Sequence, residues 1–316
     1  MSCRGCWQAA CALVIVWGSC AYNFASAAPY LLVCSYYRGR VCRFDGQTGQ
    51  FVDEFIPSGS GGLANAIAMA LGPDGNVYVS NSSEDNVLRY DGVTGDFIDA
   101  FVPRASGGLN GPQGLAFGPG GDLYVAGYNN NDGVRRYDGI SGAFIGVFTK
   151  PTGSLGTPID LAFGPDGHLY VHNQLDRNIL QFHGGTGELI QAIVPNTYDT
   201  GPIAFGPDDN LYMSARGGDC VVRYDGRTGA RIDTFIPSGS GGLDQPFHLT
   251  FEGDYLYVVG CQANGVFQYD ASSGAFVRKF AGMNYAVGIL FIPEPTTLSL
   301  LALGGLAVIR RRRRPR

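Results

Sequence analysis

Between residues 29 and 292 short apolar runs alternate with polar, glycine-rich breaks. In one stretch the runs are 67–71, 77–80, 87–90 and 96–102, rich in β-branched and aromatic residues and bounded by turn formers, which predicts four strands. The same pattern returns along the chain. An Asp-Gly-x-Thr-Gly anchor or a close variant follows the third strand at Phe44, Tyr90, Tyr137, Phe182, Tyr224 and Tyr269, with spacings of 46, 47, 45, 42 and 45 residues. A second anchor interleaves with it: LGPDG from Leu71, FGPGG from Phe117, FGPDG from Phe163, FGPDD from Phe205 and the degraded FEGDY from Phe251. Proline presets φ, aspartate bonds the backbone that follows it and glycine accepts positive φ, so both anchors read as tight turns.

Tandem units of four strands and about 45 residues predict an all-β fold, a β-propeller of six four-stranded blades. The ends of the chain explain the count. Only the strands 30–35, 41–44 and 50–56 surround the first anchor, and the run 286–292 (AVGILFI) aligns with the innermost strand of the other units. It is expected to complete the first blade, joining the two ends of the propeller in one sheet and leaving no free edge. Units such as GLAFGPGGDLYV followed by VRRYDGISGAF resemble NHL-type repeats over roughly 29–292. The resemblance implies the fold but not the activity, because related blades serve lactonases, lyases, peptide-processing enzymes and binding scaffolds.

The two ends read differently. Residues 1–28 carry one charge, Arg4, then an apolar run from Trp7 to Ala21 and the small residues Ala25, Ser26 and Ala27, the layout of a cleavable secretory signal. Residues 293–316 begin with Pro293, Glu294 and Pro295, continue through an apolar stretch and finish in an arginine cluster that includes Arg310, Arg311 and Arg312. This tail resembles the PEP-CTERM sorting signal, which implies recognition and cutting by an exosortase-type membrane enzyme and delivery to the envelope or extracellular polymer. Residues 296–309 would span about 21 Å as a helix against a hydrocarbon core of about 30 Å, so the membrane contact of the tail is expected to be transient. The arginines would stay on the cytoplasmic side.

Charge and cysteine content narrow the partners. The chain carries a formal charge of −5, but without its two ends the body holds 15 basic and 26 acidic residues, near −11. Such a surface repels phosphate backbones and excludes nucleic acid as a partner. The mature chain keeps Cys34, Cys42, Cys220 and Cys261. Export permits oxidation, so Cys34 could bridge Cys42 at an opposed position on the neighbouring strand and Cys220 could bridge Cys261 in the equivalent loop of the adjacent blade, with buried free thiols as the alternative.

Candidate chemistry falls on one face, where the loops between blades meet those between second and third strands. That face carries 36–40, 81–86, 128–133, 173–178, 216–219 and 262–264, and its candidate binding residues are Asn81, Glu84, Asp85, Asn130, Asp132, His172, Asp176, Arg216 and Gln262. Hard oxygen donors of this kind suit Ca²⁺ or another divalent metal, or hydrogen bonding to sugars, and equally suit ordinary polar turns. Aligning the innermost strands gives the column Ala68, Gly114, Asp160, Pro202, His248 and Gly288, in which Asp160 and His248 are the polar pair able to hold a metal or shuttle a proton. The glutamate that regucalcin-like lactonases place near the closing inner strand has no counterpart in 285–289 (YAVGI). Two functions follow: a surface or matrix module binding carbohydrate, peptide or another envelope protein, or a secreted metal-dependent hydrolase or lyase resembling the streptogramin lyases.

Overall fold

The computed structural model describes residues 29–129, 133–150, 155–197, 199 and 201–294; the leader 1–28, the candidates Asn130 and Asp132, and the sorting tail from Pro295 onward lie outside the described residues. Six four-stranded antiparallel sheets form the blades of a propeller. Blades two to six take residues 66–102, 112–147, 158–194, 203–236 and 246–282 in chain order, each with its first strand innermost. Blade one uses Tyr30–Ser35, Arg40–Asp45 and Phe51–Ile56, and its inner strand is Ala286–Ile292 from the far end of the chain. Tyr30 pairs with Ile292 and Val33 with Ile289, so the expected closure is formed by a ladder of backbone hydrogen bonds.

The repeated anchors hold blade to blade. In the first, Asp45 Oδ1 accepts from the Thr48 N–H at 2.7 Å and from the Thr48 hydroxyl at 2.8 Å. These bonds favour the charged form and hold the Asp45 carboxyl below its usual range. In blade four His183 takes the same place, and its Nδ1 accepts from Gly185 and Thr186 N–H, each at 3.2 Å. That histidine is a turn residue. The closing glycine of the anchor is pressed against the preceding blade: at Gly95, φ is +79°, and an added Cβ would meet the Phe55 carbonyl oxygen at 1.9 Å. No other residue fits there without displacing backbone.

In the second anchor the turn aspartate receives the hydroxyl of the buried second-strand tyrosine, as from Tyr78 to Asp74 at 3.0 Å and from Tyr212 to Asp208 at 2.9 Å. The rings of these tyrosines stand edge-on between the outer-strand phenylalanine of their own blade and the inner-strand phenylalanine of the next. Tyr78 lies 4.8 Å from both Phe101 and Phe117, and Tyr257 5.0 Å from Phe280 and 4.8 Å from Phe291. Edge-to-face geometry suits the ring quadrupole, so the interfaces that hold such a tyrosine gain aromatic packing beyond their buried area, whereas the interface of blades one and two holds Leu32 and Leu71 instead. On the outer strands Arg43, Arg89 and Arg223 form paired hydrogen bonds with Asp53, Asp99 and Asp233. Blade three has Gly146 opposite Arg136, which turns instead to Asp122.

Among the described residues Cys34, Cys42, Cys220 and Cys261 are free thiols, which corrects both bridges read from the sequence. Cys34 pairs with Val41 and Cys42 with Val33, so the two side chains leave opposite faces of the sheet. Cys34 enters the core between blades one and two, and Cys42 the core between blades one and six. Cys220 turns into the core between blades four and five, whereas Cys261 packs where blades six, one and two meet.

Candidate functional site

A funnel of about 680 Å³ opens at the upper ends of the inner strands. It exists because those strands leave their ladders there: the pairing with the second strand shifts between Ala66 and Met69, Pro112 and Leu115, Pro158 and Asp160, and Pro246 and Leu249. The second residue of each, Ile67, Gln113, Ile159 and Phe247, lines the funnel, with Val287 from the closing strand. The freed backbone groups are taken up by second-strand side chains. Ser80 Oγ accepts from the Ala68 N–H at 2.9 Å, and Ser214 Oγ donates to the Pro202 carbonyl at 3.2 Å.

The rim is aromatic and rich in amides. Tyr36, Tyr37, Tyr128 and Tyr285 contribute rings, with Tyr37 71% and Tyr285 48% exposed. Tyr37 stands edge-on to Tyr36 at 4.7 Å and to Tyr285 at 5.1 Å. Gln113, Gln174, Gln245, Gln262, Asn264 and Asn284 supply the amides. Arg216 is the cation of the described lining; its guanidinium sits 5.3 Å from the centre of the Phe247 ring and 3.5 Å from Gln245 Oε1. No carboxylate belongs to the described lining.

Of the candidate binding residues, Arg216 and Gln262 lie on this funnel. Others are committed to backbone. Asn81 Oδ1 accepts from Ala64 and Asn65 N–H, each at 3.0 Å, while its Nδ2 donates to the Gly62 carbonyl. Asp85 accepts from Gly111 N–H at 2.8 Å, and Asp176 accepts from Asn173 Nδ2 at 2.7 Å and Gly156 N–H at 3.2 Å. Glu84 pairs with Arg104 on the surface. Tyr36, Tyr37 and Tyr128 fall in the segments 36–40 and 128–133 of the candidate face without being named among its binding residues, and the signal for Tyr285 is its place immediately before the closing strand.

Asp160 and His248 are not brought together by a hydrogen bond among the described residues. Asp160 is 5% exposed, and its Oδ2 accepts from the Ile203 N–H of the next blade at 2.8 Å. Burial pushes its carboxyl up to about 7, with the Ile203 and Leu161 backbone opposing. Its cross-strand partner is His172, fully buried with neither ring nitrogen hydrogen-bonded. Burial pulls His172 down to about 4 and His248 likewise, and His248 Nδ1 is also buried without a partner. Neutral imidazoles and an acid that keeps its proton up to about neutral pH are what burial favours there. Among the described residues no three His, Cys, Asp or Glu side chains gather as a metal set.

Known proteins resemble the two parts of the chain separately. Residues 291–314 match the PEP-CTERM protein-sorting motif, the recognition signal of exosortase. No curated protein matches the chain. Among solved structures, the nidogen/laminin complex superposes with a TM-score of 0.67 at 17% identity, covering 83% of this chain and 98% of that one. A Bacteroides caccae protein of unknown function gives 0.61 at 14% identity, covering 84% and 100%. A catalytically inactive virginiamycin B lyase from Staphylococcus aureus with quinupristin gives 0.56 at 16%, covering 86% of each chain. At these identities the likeness is one of fold, shared by the nidogen/laminin complex and a lyase alike. No helix among the described residues is long and apolar enough to cross a membrane. The chain is thus a six-bladed β-propeller carrying a PEP-CTERM sorting motif, which marks it for export to the cell envelope or surface.

Proposed function

We propose that the exported propeller is a binding module of the cell surface or extracellular matrix, and that its funnel takes a carbohydrate segment of the extracellular polymer. The observation that carries this reading is the rim itself: four tyrosines and six amides around about 680 Å³, with one cation and no carboxylate in the described lining. Tyrosine rings offer apolar faces to the C–H surfaces of a sugar while keeping a hydroxyl for water or ligand. Amides both donate and accept, which matches sugar hydroxyls that do the same. Arg216 adds a place for an acidic sugar, since a guanidinium can meet a carboxylate with two parallel bonds. The reading includes removal of residues 1–28 as a secretory signal and cutting of the tail by the exosortase.

A glycan array on the purified protein tests it, followed by titration of the best ligand. Tyr37→Ala and Tyr285→Ala should each weaken that ligand about tenfold or more, the loss of roughly 1.4 kcal/mol or more, with the melting temperature unchanged because both rings are exposed. An array without a hit, or a hit indifferent to both tyrosines, would sink the assignment.

A further inference from the structure

The ring of blades is fastened at one seam, where Tyr30–Ser35 of the first blade pairs with the closing strand Ala286–Ile292. Backbone hydrogen bonds make this joint. The ladder is regular from Tyr30 to Cys34 and shifts register between Cys34 and Ser35, at its funnel end. Just beyond the shift the two segments meet once more, with the Tyr36 N–H donating to the Tyr285 carbonyl at 3.1 Å. No disulfide reinforces the seam among the described residues.

Three tyrosines gather at this end of the seam. The Tyr37 ring stands between the other two, 4.7 Å from Tyr36 and 5.1 Å from Tyr285, with an interplanar angle of 87° in both pairs. Tyr37 belongs to the first blade and Tyr285 to the far end of the propeller, so this contact crosses the seam. Both rings are accessible, Tyr37 being 71% and Tyr285 48% exposed, and an exposed ring turns readily. Their backbones are held together: Ser35 Oγ donates to the Asn284 carbonyl at 3.3 Å, and the Tyr285 N–H donates to Asn264 Oδ1 at 3.4 Å. Tyr285 also takes φ +59°, where the residue preceding the inner strand of blade three is Gly111 at +61°. Glycine adopts this conformation without strain, so the bulky residue is kept there at a backbone cost. A further tyrosine pair, Tyr255 and Tyr257 at 6.4 Å, has one ring buried.

We propose that Tyr37 and Tyr285 form an oxidative cross-linking site, joined as dityrosine by a one-electron oxidant of the peroxidase and hydrogen peroxide class. Each phenol gives up one electron and one proton, and the two phenoxyl radicals form a carbon–carbon bond between ring positions ortho to their oxygens. The hydrogen on each joined carbon then moves to its phenolic oxygen, restoring both aromatic rings. Hydrogen peroxide takes the two electrons and two protons and leaves as two waters. Phenols already in contact couple within one chain faster than phenols of separate chains that must first meet. Export to the envelope or surface takes the pair out of the reducing cytosol to where such an oxidant acts. The bond closes the seam covalently, and a link between parts of the chain this far apart restricts the unfolded state strongly.

The test treats the purified protein at micromolar concentration with a peroxidase and limiting hydrogen peroxide, and needs no glycan. A monomer lacking two hydrogen atoms is expected, with the blue fluorescence of dityrosine and with the tryptic peptide ending at Arg38 joined to the one beginning at Phe280. Its melting temperature should exceed that of untreated protein. The yield of cross-linked monomer should fall about tenfold or more in Tyr285→Phe, which keeps the ring but removes the phenol, and should persist in Tyr36→Phe. A junction mapped to other tyrosines, cross-linking only between chains, or a yield indifferent to Tyr285→Phe overturns the proposal.

Discussion

Replacing Asp160 by asparagine removes a titrating group while keeping an oxygen able to accept from the Ile203 N–H. The unfolded carboxyl titrates near 4, and the buried one at about 7. The folded protein therefore holds the proton more tightly. The stability so gained is fully present below about pH 4 and is lost as pH rises through about 7. With about 1.4 kcal/mol for each pH unit, the wild-type protein should lose about 3 kcal/mol from this residue between pH 5 and pH 8, as an upper bound. His172 and His248 act in the opposite sense. Each is held down to about 4, so their contribution is present above about 6.5 and is lost as pH falls toward 4. The two histidines together gain about 4 kcal/mol as pH rises from 5 to 8 while the acid loses about 3, so the raw wild-type profile mixes opposed contributions and the informative quantity is the difference between Asp160→Asn and wild type. Urea denaturation at pH 5, 6, 7 and 8 should show that difference moving by about 3 kcal/mol in favour of the variant as pH rises. A difference that stays constant across the range refutes the placement of Asp160 as a buried acid.

Gly95→Ala forces a Cβ to within 1.9 Å of the Phe55 carbonyl at positive φ, and should cost about 2 kcal/mol or more in a urea melt. Tyr137→Phe removes the bond to the Ser106 carbonyl and should cost about 1 kcal/mol by the same measurement. Burial pushes the Cys34 thiol up to about 12 and Cys261 up to about 11. Iodoacetamide at pH 8 should therefore leave both unmodified in the native protein and modify all four cysteines after denaturation, with non-reducing peptide mapping finding no bridge. Intact-mass analysis of native protein should show the arginine cluster removed, and Pro293→Ala with Glu294→Ala should leave it in place.

The architecture was legible because the repeat states it six times over. One anchor fixes a turn, and 46 residues later the same letters fix the next, so errors at any single strand do not spread. The closing strand could be read because AVGILFI has the pattern of an inner strand and no other partner. The cysteines failed at a finer level: placing Cys42 opposite Cys34 rather than opposite Val33 is a slip of one residue, and one residue reverses the face of a strand. Some of the candidate binding residues lie off the funnel for another reason. Asn81, Asp85 and Asp176 have the composition of ligand donors, but short polar side chains in turns satisfy nearby amides first, and only the coordinates show those bonds already made. The funnel tyrosines were passed over because in most units tyrosine is a core residue, and position along the strand, not residue type, separates the two uses.

The strand that closes the ring also sets direction. Ala286 begins it at the funnel mouth and Ile292 ends it about 20 Å away, on the opposite side, where the sorting motif is already under way. A tail held at a membrane would therefore leave from the side of the disc opposite the tyrosine rim. The same strand is the last part of the propeller in sequence, so a chain crossing a membrane from its N-terminus would keep the ring an open arc until residues 286–292 follow. In such a chain the rim would be completed only when the final strand arrives.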